Sequence, residues 1–279
     1  MATSFEKVFN MQGFDRWQSP RWQMVPVGGD RYIALRDGAG LTVTSNNPGV
    51  LTVAEIRAAD LPSTGQRMPL NQGDRIFKLH GASKGAARVQ AKRGGTVVLE
   101  LQVDTKNRKT VRLTFNFVRD NAGHRTRRNP SAATGWMNTI NYIYNGQANI
   151  FATMIRTRTV NIPQNLGPQV TWSAGVASEW NTVTALRDAG ADFNFFLVWE
   201  YEQDDTPAVD HTDAGALAGN CIFEDNAGTQ VGETMAHELG HYLGRPDIYD
   251  AARRHHLMHG ITDVRGQHLS KDDVNVMNP

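Results

Sequence analysis

The sequence predicts two domains: an all-β sandwich over residues 22–104 and an α+β domain over residues 110–279. A polar linker at 105–109 joins them, and residues 1–21 form an N-terminal extension. Three observations carry this. Short alternating runs separated by turn residues fill the first third, as in an antiparallel sandwich. From Thr110 the pattern changes to strands interleaved with helical spacing. Near the C-terminus stands a His-Glu-x-x-His helix, His237 to His241.

In the first domain the runs are Tyr32-Ile-Ala-Leu, Leu41-Thr-Val-Thr, Val50-Leu-Thr-Val, Ala87-Arg-Val-Gln-Ala and Thr96-Val-Val-Leu-Glu-Leu-Gln-Val. Breaks at Asp37-Gly-Ala-Gly, Asn46-Asn-Pro-Gly and Arg93-Gly-Gly separate them, because these residues accept turn conformations that strand formers do not. The polar run Asp104-Thr-Lys-Asn-Arg-Lys supplies the linker. In the second domain, Val111-Arg-Leu-Thr-Phe-Asn-Phe-Val alternates strictly and reads as a strand. A helix follows over 132–150, with Trp136, Ile140, Ile143 and Tyr144 on one face. Next come a strand from Phe151, a helix from about Ala177 to Asp188, the apolar strand Phe193-Asn-Phe-Phe-Leu-Val-Trp-Glu-Tyr, and a short strand over Asn220-Cys-Ile-Phe-Glu-Asp. A last short helix carries Ser270 as cap and Asp273 at the capping-box position.

The chemistry concentrates in His237-Glu-Leu-Gly-His-Tyr-Leu-Gly-Arg-Pro-Asp247. At 3.6 residues per turn, His237 and His241 share a helix face and reach one zinc ion. Glu238 lies beside the first histidine, where a carboxylate can take a proton from metal-activated water. Thr234 is a candidate helix cap. Gly244 permits a sharp turn and Pro246 prevents continuation, so Asp247 returns with an oxygen that could complete three protein ligands. A fourth position then stays open, as a catalytic zinc site requires. The bland alternatives are an amphipathic helix with two exposed histidines and, for Asp247, a solvated turn residue. His255, His256, His259 and His268 compete for the third-ligand role. Aspartate there lowers the charge of the site by one and makes the zinc a weaker Lewis acid.

His237-Glu-x-x-His241-x-x-Gly244-x-x-Asp247 followed by Met258 resembles the metzincin metallopeptidases, in the aspartate variant of the snapalysin-type bacterial neutral proteases. The resemblance covers about 110–279. It implies a mixed twisted sheet, a zinc helix, a Met-turn with Met258 as hydrophobic floor, and a C-terminal helix. It further implies one catalytic Zn2+ and an extended peptide lying along the strand before the zinc helix, here Gly219, Asn220, Cys221, Ile222 and Phe223. Some metzincins carry a tyrosine two residues beyond the methionine, where this chain has Gly260. Tyr249 is a candidate oxyanion contact or a structural tyrosine. Thr42-Val-Thr-Ser-Asn-Asn-Pro-Gly-Val-Leu-Thr-Val, with Gly85-Ala-Ala-Arg-Val-Gln-Ala, resembles bacterial Ig-like domains of the type 2 group.

Composition bounds the rest. The 279 residues are 40% apolar and 20% charged, which suits a folded chain. A net charge of +1 argues against an obligate nucleic-acid partner, and no apolar run approaches the ~20 residues needed to span a bilayer. Cys221 is the only cysteine, so no intrachain disulfide exists, and its place in the second domain suits a buried free thiol rather than a latency switch. The N-terminus lacks the basic start and apolar core of a signal peptide. The expectation is a chain made in a reducing cytosol and, if exported, delivered by a route without a cleaved signal, as a bacterial effector would be. The arginine-rich loop 119–129 reads as solvated, and His80, His124 and His211 as structural or solvent-facing. The functional expectation is a monomeric zinc-dependent endopeptidase acting on protein or peptide substrates, with the Ig-like domain docking to a carrier or target. The competing reading is a non-catalytic binding or adhesion protein, in which the Ig-like domain does the work and zinc is structural.

Overall fold

A computed structural model describes residues 3–171, 179–202, 214–226, 230–261 and 264–279, which divide into two compact units. The first comprises Met1–Lys109, Tyr144–Ile150 and His268–Pro279; the second comprises Thr110–Ile143 and Phe151–Gln267.

The first unit holds nine strands: β1 (Ser4–Lys7), β2 (Phe14–Asp15), β3 (Trp22–Pro26), β4 (Asp30–Arg36), β5 (Thr42–Ser45), β6 (Leu51–Ile56), β7 (Arg75–Gly81), β8 (Gly85–Arg93) and β9 (Thr96–Lys106). They form two sheets, ordered β1-β4-β7-β6 and β2-β3-β9-β8-β5. Within these sheets the strands pair antiparallel except β3 with β9. Alternation builds the core directly. On β8, Ala87, Val89 and Ala91 are buried while Ala86 and Arg88 face out, and they pack with Phe5, Ile33, Leu35, Phe77 and Leu79 of the other sheet. Gly94 and Gly95 both hold positive φ, as the two-residue turn joining β8 to β9 requires.

The strands begin earlier than the sequence pattern indicates. Residues 1–21 were expected as an extension, yet β1 pairs with β4 from Ser4↔Arg36 to Lys7↔Ile33, and Phe5 is buried in the core. One inward apolar residue in a four-residue strand is too weak a period to recognise. The linker is also shorter than 105–109: β9 runs to Lys106, and β10 (Lys109–Arg119) starts three residues later.

The closing helix, designated α4 (Lys271–Met277), clusters with the first unit rather than the second. Its capping box is formed: the Asp273 N–H donates to Ser270 Oγ at 3.2 Å, and the Ser270 N–H donates to Asp273 Oδ2 at 2.9 Å. Asp15 supplies a further acceptor, taking the Lys271 N–H at 3.0 Å and the Trp17 N–H at 3.0 Å. Burial raises the pKa of Asp15, but hydrogen bonds from His268, Lys271 and Trp17 outweigh it and hold the carboxyl below its ordinary value. An acid depressed in the folded state stabilises fully above the unfolded value of about 3.9, and that stabilisation is lost as pH falls through the lower folded value. Asp15→Asn is therefore expected to flatten the decline of stability below pH ~4 and to cost about 1–3 kcal/mol near neutrality. Denaturant titrations across pH check this, and an unchanged acid limb would count against it.

The second unit follows β10 with α1 (Ala133–Ala148), whose last turn belongs to the first unit. Then come β11 (Ile150–Asn161), β12 (Val170–Thr171), α2 (Glu179–Thr184), β13 (Phe193–Leu197), β14 (Tyr201–Glu202), β15 (Ala214–Leu217), β16 (Asn220–Phe223) and α3 (Val231–Tyr242). The main sheet is ordered β11-β10-β13-β16-β15. Strands β10, β13 and β16 are mutually parallel, and β15 is antiparallel to β16. Every residue of β13 is buried, which explains its unbroken apolar run rather than alternation. Phe115 of β10 stacks on Phe195 of β13 at 5.2 Å, and Ile222, Phe196 and Val118 pack with Trp180 and Val183 of α2 on one face. Helix α2 ends at Thr184, short of Asp188, and the expected start at Ala177 lies outside the described residues.

Candidate metal centre

Helix α3 follows β16 and holds the two histidines. It begins at Val231 with Gln230 as cap residue, so Thr234 is not the cap; it lies inside the helix, buried, with its N–H bonded to the Gln230 carbonyl at 3.0 Å. The connection from β16 to α3 is clamped by the arginine loop. Arg128 donates to the Glu224 carbonyl at 2.7 Å and the Asp225 carbonyl at 2.9 Å, and the Arg127 N–H donates to Asp225 Oδ2 at 2.7 Å. The side chain of Arg128 is only 12% exposed, so this part of the loop is structural rather than solvated.

At its other end α3 stops at Tyr242, and Gly244 takes φ +96°, a left-handed conformation that a Cβ would strain. Arg245 and Pro246 follow, and Asp247 swings back to the histidines. His237 Nε2 and His241 Nε2 lie 3.1 Å apart; Asp247 Oδ1 lies 3.1 Å from the first and 3.6 Å from the second. The other ring nitrogens are committed. His237 Nδ1 is 2.9 Å from the Leu257 carbonyl and His241 Nδ1 is 2.8 Å from the Arg245 carbonyl. Only N–H can meet a carbonyl, so both Nε2 atoms present lone pairs to the centre. Asp247 Oδ1 is buried and forms no hydrogen bond.

Two imidazole lone pairs and a carboxylate oxygen facing one another at 3.1–3.6 Å repel unless a cation lies among them. Tetrahedral zinc with bonds of about 2.0–2.2 Å sets its ligand atoms about 3.3–3.6 Å apart. The donor set therefore fits zinc, and three protein ligands leave a fourth position. Burial of His237 lowers its pKa, keeping the imidazole neutral and able to ligate.

Glu238 is buried beside the cage, with a carboxylate oxygen and the histidine nitrogens within 4.8 Å of one another. Its negative charge adds to burial in raising the pKa of the Cys221 thiol and of the Tyr201 hydroxyl. Both groups stay protonated. Neither Tyr201 nor the two carbonyls was marked in the sequence; a carbonyl has no residue-type signature, whereas Tyr201 ended an apolar strand and read as core.

Met258 is fully buried, and its carbonyl accepts the Ile248 N–H at 2.8 Å while the Ile248 carbonyl accepts the Gly260 N–H at 3.0 Å. This turn carries the Leu257 carbonyl to His237. Tyr249 is 69% exposed, and its hydroxyl donates to Asp247 Oδ2 at 3.3 Å. Its ring covers Gly260, where an added Cβ would come within 2.5–3.0 Å of ring and hydroxyl atoms. Gly260 is thus the seat that lets Tyr249 reach the Asp247 carboxylate.

The other histidines are engaged elsewhere. His255 and His256 pack ring on ring at 4.5 Å, His259 Nδ1 accepts the Ile261 N–H at 3.3 Å, and His268 approaches Asp15 at 3.6 Å and Trp17 at 4.7 Å. His80 pairs with Asp30 and His124 with Asp120, each at 2.8 Å; His211 lies outside the described residues.

The expected substrate strand requires correction. Gly219 is a turn residue, and Asn220, Cys221, Ile222 and Phe223 form β16, an interior strand. Cys221 pairs with Phe195 on one side and Ala216 on the other, so the strand's backbone groups are already taken. Among the described residues the free edge of this sheet beside α3 is β15.

No protein-family model matches the chain. No curated protein matches it either. Similar solved structures include archaemetzincin from Methanopyrus kandleri, at 14% identity and a TM-score of 0.41, covering 60% of this chain and 93% of that one. Metalloproteinase-II from Bacteroides fragilis is similar at 10% identity and a TM-score of 0.38, covering 91% and 84%. The surface layer protein SbsC, domains 1–6, is similar at 15% identity and a TM-score of 0.24, covering 39% and 14%.

Proposed function

We propose that the chain is a zinc-dependent endopeptidase, with His237, His241 and Asp247 as ligands and Glu238 as general base. The triangle of inward-facing donor atoms at 3.1–3.6 Å, with a buried carboxylate beside it, supports this reading. Bound there, zinc would lower the pKa of water in its open position and polarise the carbonyl under attack. Glu238 accepts the proton of the attacking water and returns it to the departing amine. Asp247 lies with Oδ1 toward the cage because Tyr249 holds Oδ2. Among the described residues the outer edge of β15 is unpaired, and it offers its backbone groups to an extended peptide.

The two-sheet first unit supports a docking module of the bacterial Ig-like kind, and the single buried cysteine suits a chain made in a reducing compartment. Delivery of the enzyme as an effector follows from combining these two. The binding-protein alternative needs zinc as a staple, yet structural sites close all four positions with protein ligands, and a staple has no use for a base.

Hydrolysis of casein by the purified protein tests the reading. Activity is expected with about one zinc per chain, to vanish with a chelator and to return with added zinc. Stoichiometric zinc without cleavage of casein or of a peptide library would establish the staple instead.

A further inference from the structure

A cavity of about 370 Å3 opens in the second unit against the end of α3, lined in part by Asp192, Phe193, Leu217, Gly219, His241 and Tyr242. His241 belongs both to this lining and to the metal cage, so an occupant of the cavity lies close to the reacting bond. The lining contains one carboxylate, and it is neutralised: Asp192 meets Arg112 at 2.7 Å and accepts the Arg112 backbone N–H at 2.8 Å.

Apart from the His241 imidazole and the Tyr242 hydroxyl, the remaining lining side chains are apolar. Phe193 is buried and packs against Tyr242 at a ring distance of 5.4 Å. Leu217 and Tyr242 are 53% and 42% exposed, two large apolar side chains left in water beside a concave site. The wall between them is the turn Ala218-Gly219, both at positive φ, which brings β15 back into β16 at Leu217↔Asn220. Among the described residues the outer edge of β15 is unpaired and ends at Leu217, so a peptide paired along that edge runs into the cavity mouth. Antiparallel pairing is the more stable per residue. A peptide laid antiparallel to β15 places its more N-terminal residues at the Leu217 end.

The geometry points to this cavity as a specificity pocket for a large uncharged apolar side chain, leucine-sized or aromatic, on the N-terminal side of the cleaved bond. The inference rests on the peptidase reading above. Hydrophobic pockets of this kind discriminate about 10–200-fold per methylene-scale difference.

The test compares kcat/KM of zinc-loaded wild type and Leu217→Asp on quenched peptides that vary only in the residue before the cut, with zinc content and melting temperature measured on both. Wild type is expected to favour Phe, Tyr, Leu or Met over Ala, Gly or Asp by at least about 10-fold. In Leu217→Asp that ratio is expected to collapse, chiefly through KM, at unchanged zinc content. Cleavage without preference at that position overturns the pocket and leaves the peptidase reading standing. So does a preference that Leu217→Asp does not move. Absence of any cleavage by zinc-loaded wild type overturns the peptidase reading and the pocket with it.

Discussion

Glu238→Gln is expected to keep zinc bound and to lower peptide hydrolysis by about 10²–10⁴-fold. The substitution preserves the shape of a side chain that is 6% exposed, and it leaves all three ligand atoms in place. Only proton-accepting capacity is removed. The protonated Cys221 and Tyr201 that share its surroundings cannot replace it, because burial keeps both protonated even without the charge of Glu238. The loss should fall on kcat rather than on KM, since the interaction is made while the proton moves. Zinc content by elemental analysis and steady-state kinetics on one peptide settle the matter. Unchanged turnover in a zinc-replete variant would remove Glu238 from the mechanism.

Asp247→Ala carries the second large effect, on metal affinity itself. It deletes one of three ligands and the negative charge that offsets zinc, leaving two histidines whose lone pairs face each other at 3.1 Å. Affinity is expected to fall by more than the roughly 10–100-fold that loss of an outer-shell partner costs. Tyr249→Phe provides the internal scale. It removes the hydroxyl that holds Asp247 Oδ2 at 3.3 Å and is expected to fall inside that 10–100-fold range. Competition with a chromophoric chelator ranks the three proteins independently of activity. Equal affinities for wild type and Asp247→Ala would exclude Asp247 as a ligand and return attention to His259, whose Nε2 is buried without a hydrogen bond.

Features that depend on neighbours in sequence were the legible ones. Two histidines one helical turn apart, a glycine where the helix must reverse, and an aspartate within reach of that reversal are all local geometry. The Ser270–Asp273 box is local as well and forms as its spacing indicates. Features that depend on which element lies beside which were not legible. Ala214-Gly-Ala-Leu217 carries almost no apolar period, whereas Asn220-Cys-Ile-Phe223 carries a strong one. The resemblance placed the peptide on the strand before the zinc helix, which is the interior strand β16, and the weak period of β15 gave no sign that it forms the edge among the described residues. The same weakness hid β1, whose single inward residue, Phe5, completes the sandwich core.

The sequence by itself determined the donor types, their helical phase and the base beside them, because an α-helix converts a four-residue interval into a fixed separation. Tertiary structure alone decided which carbonyls orient the rings, which tyrosine holds Asp247 and which strand forms the edge of the sheet among the described residues. Leu257 reaches His237 across twenty residues, and Gly260 admits Tyr249 only because the chain has folded back on itself. Such contacts arise from the closure of distant segments, and no interval along the chain specifies them.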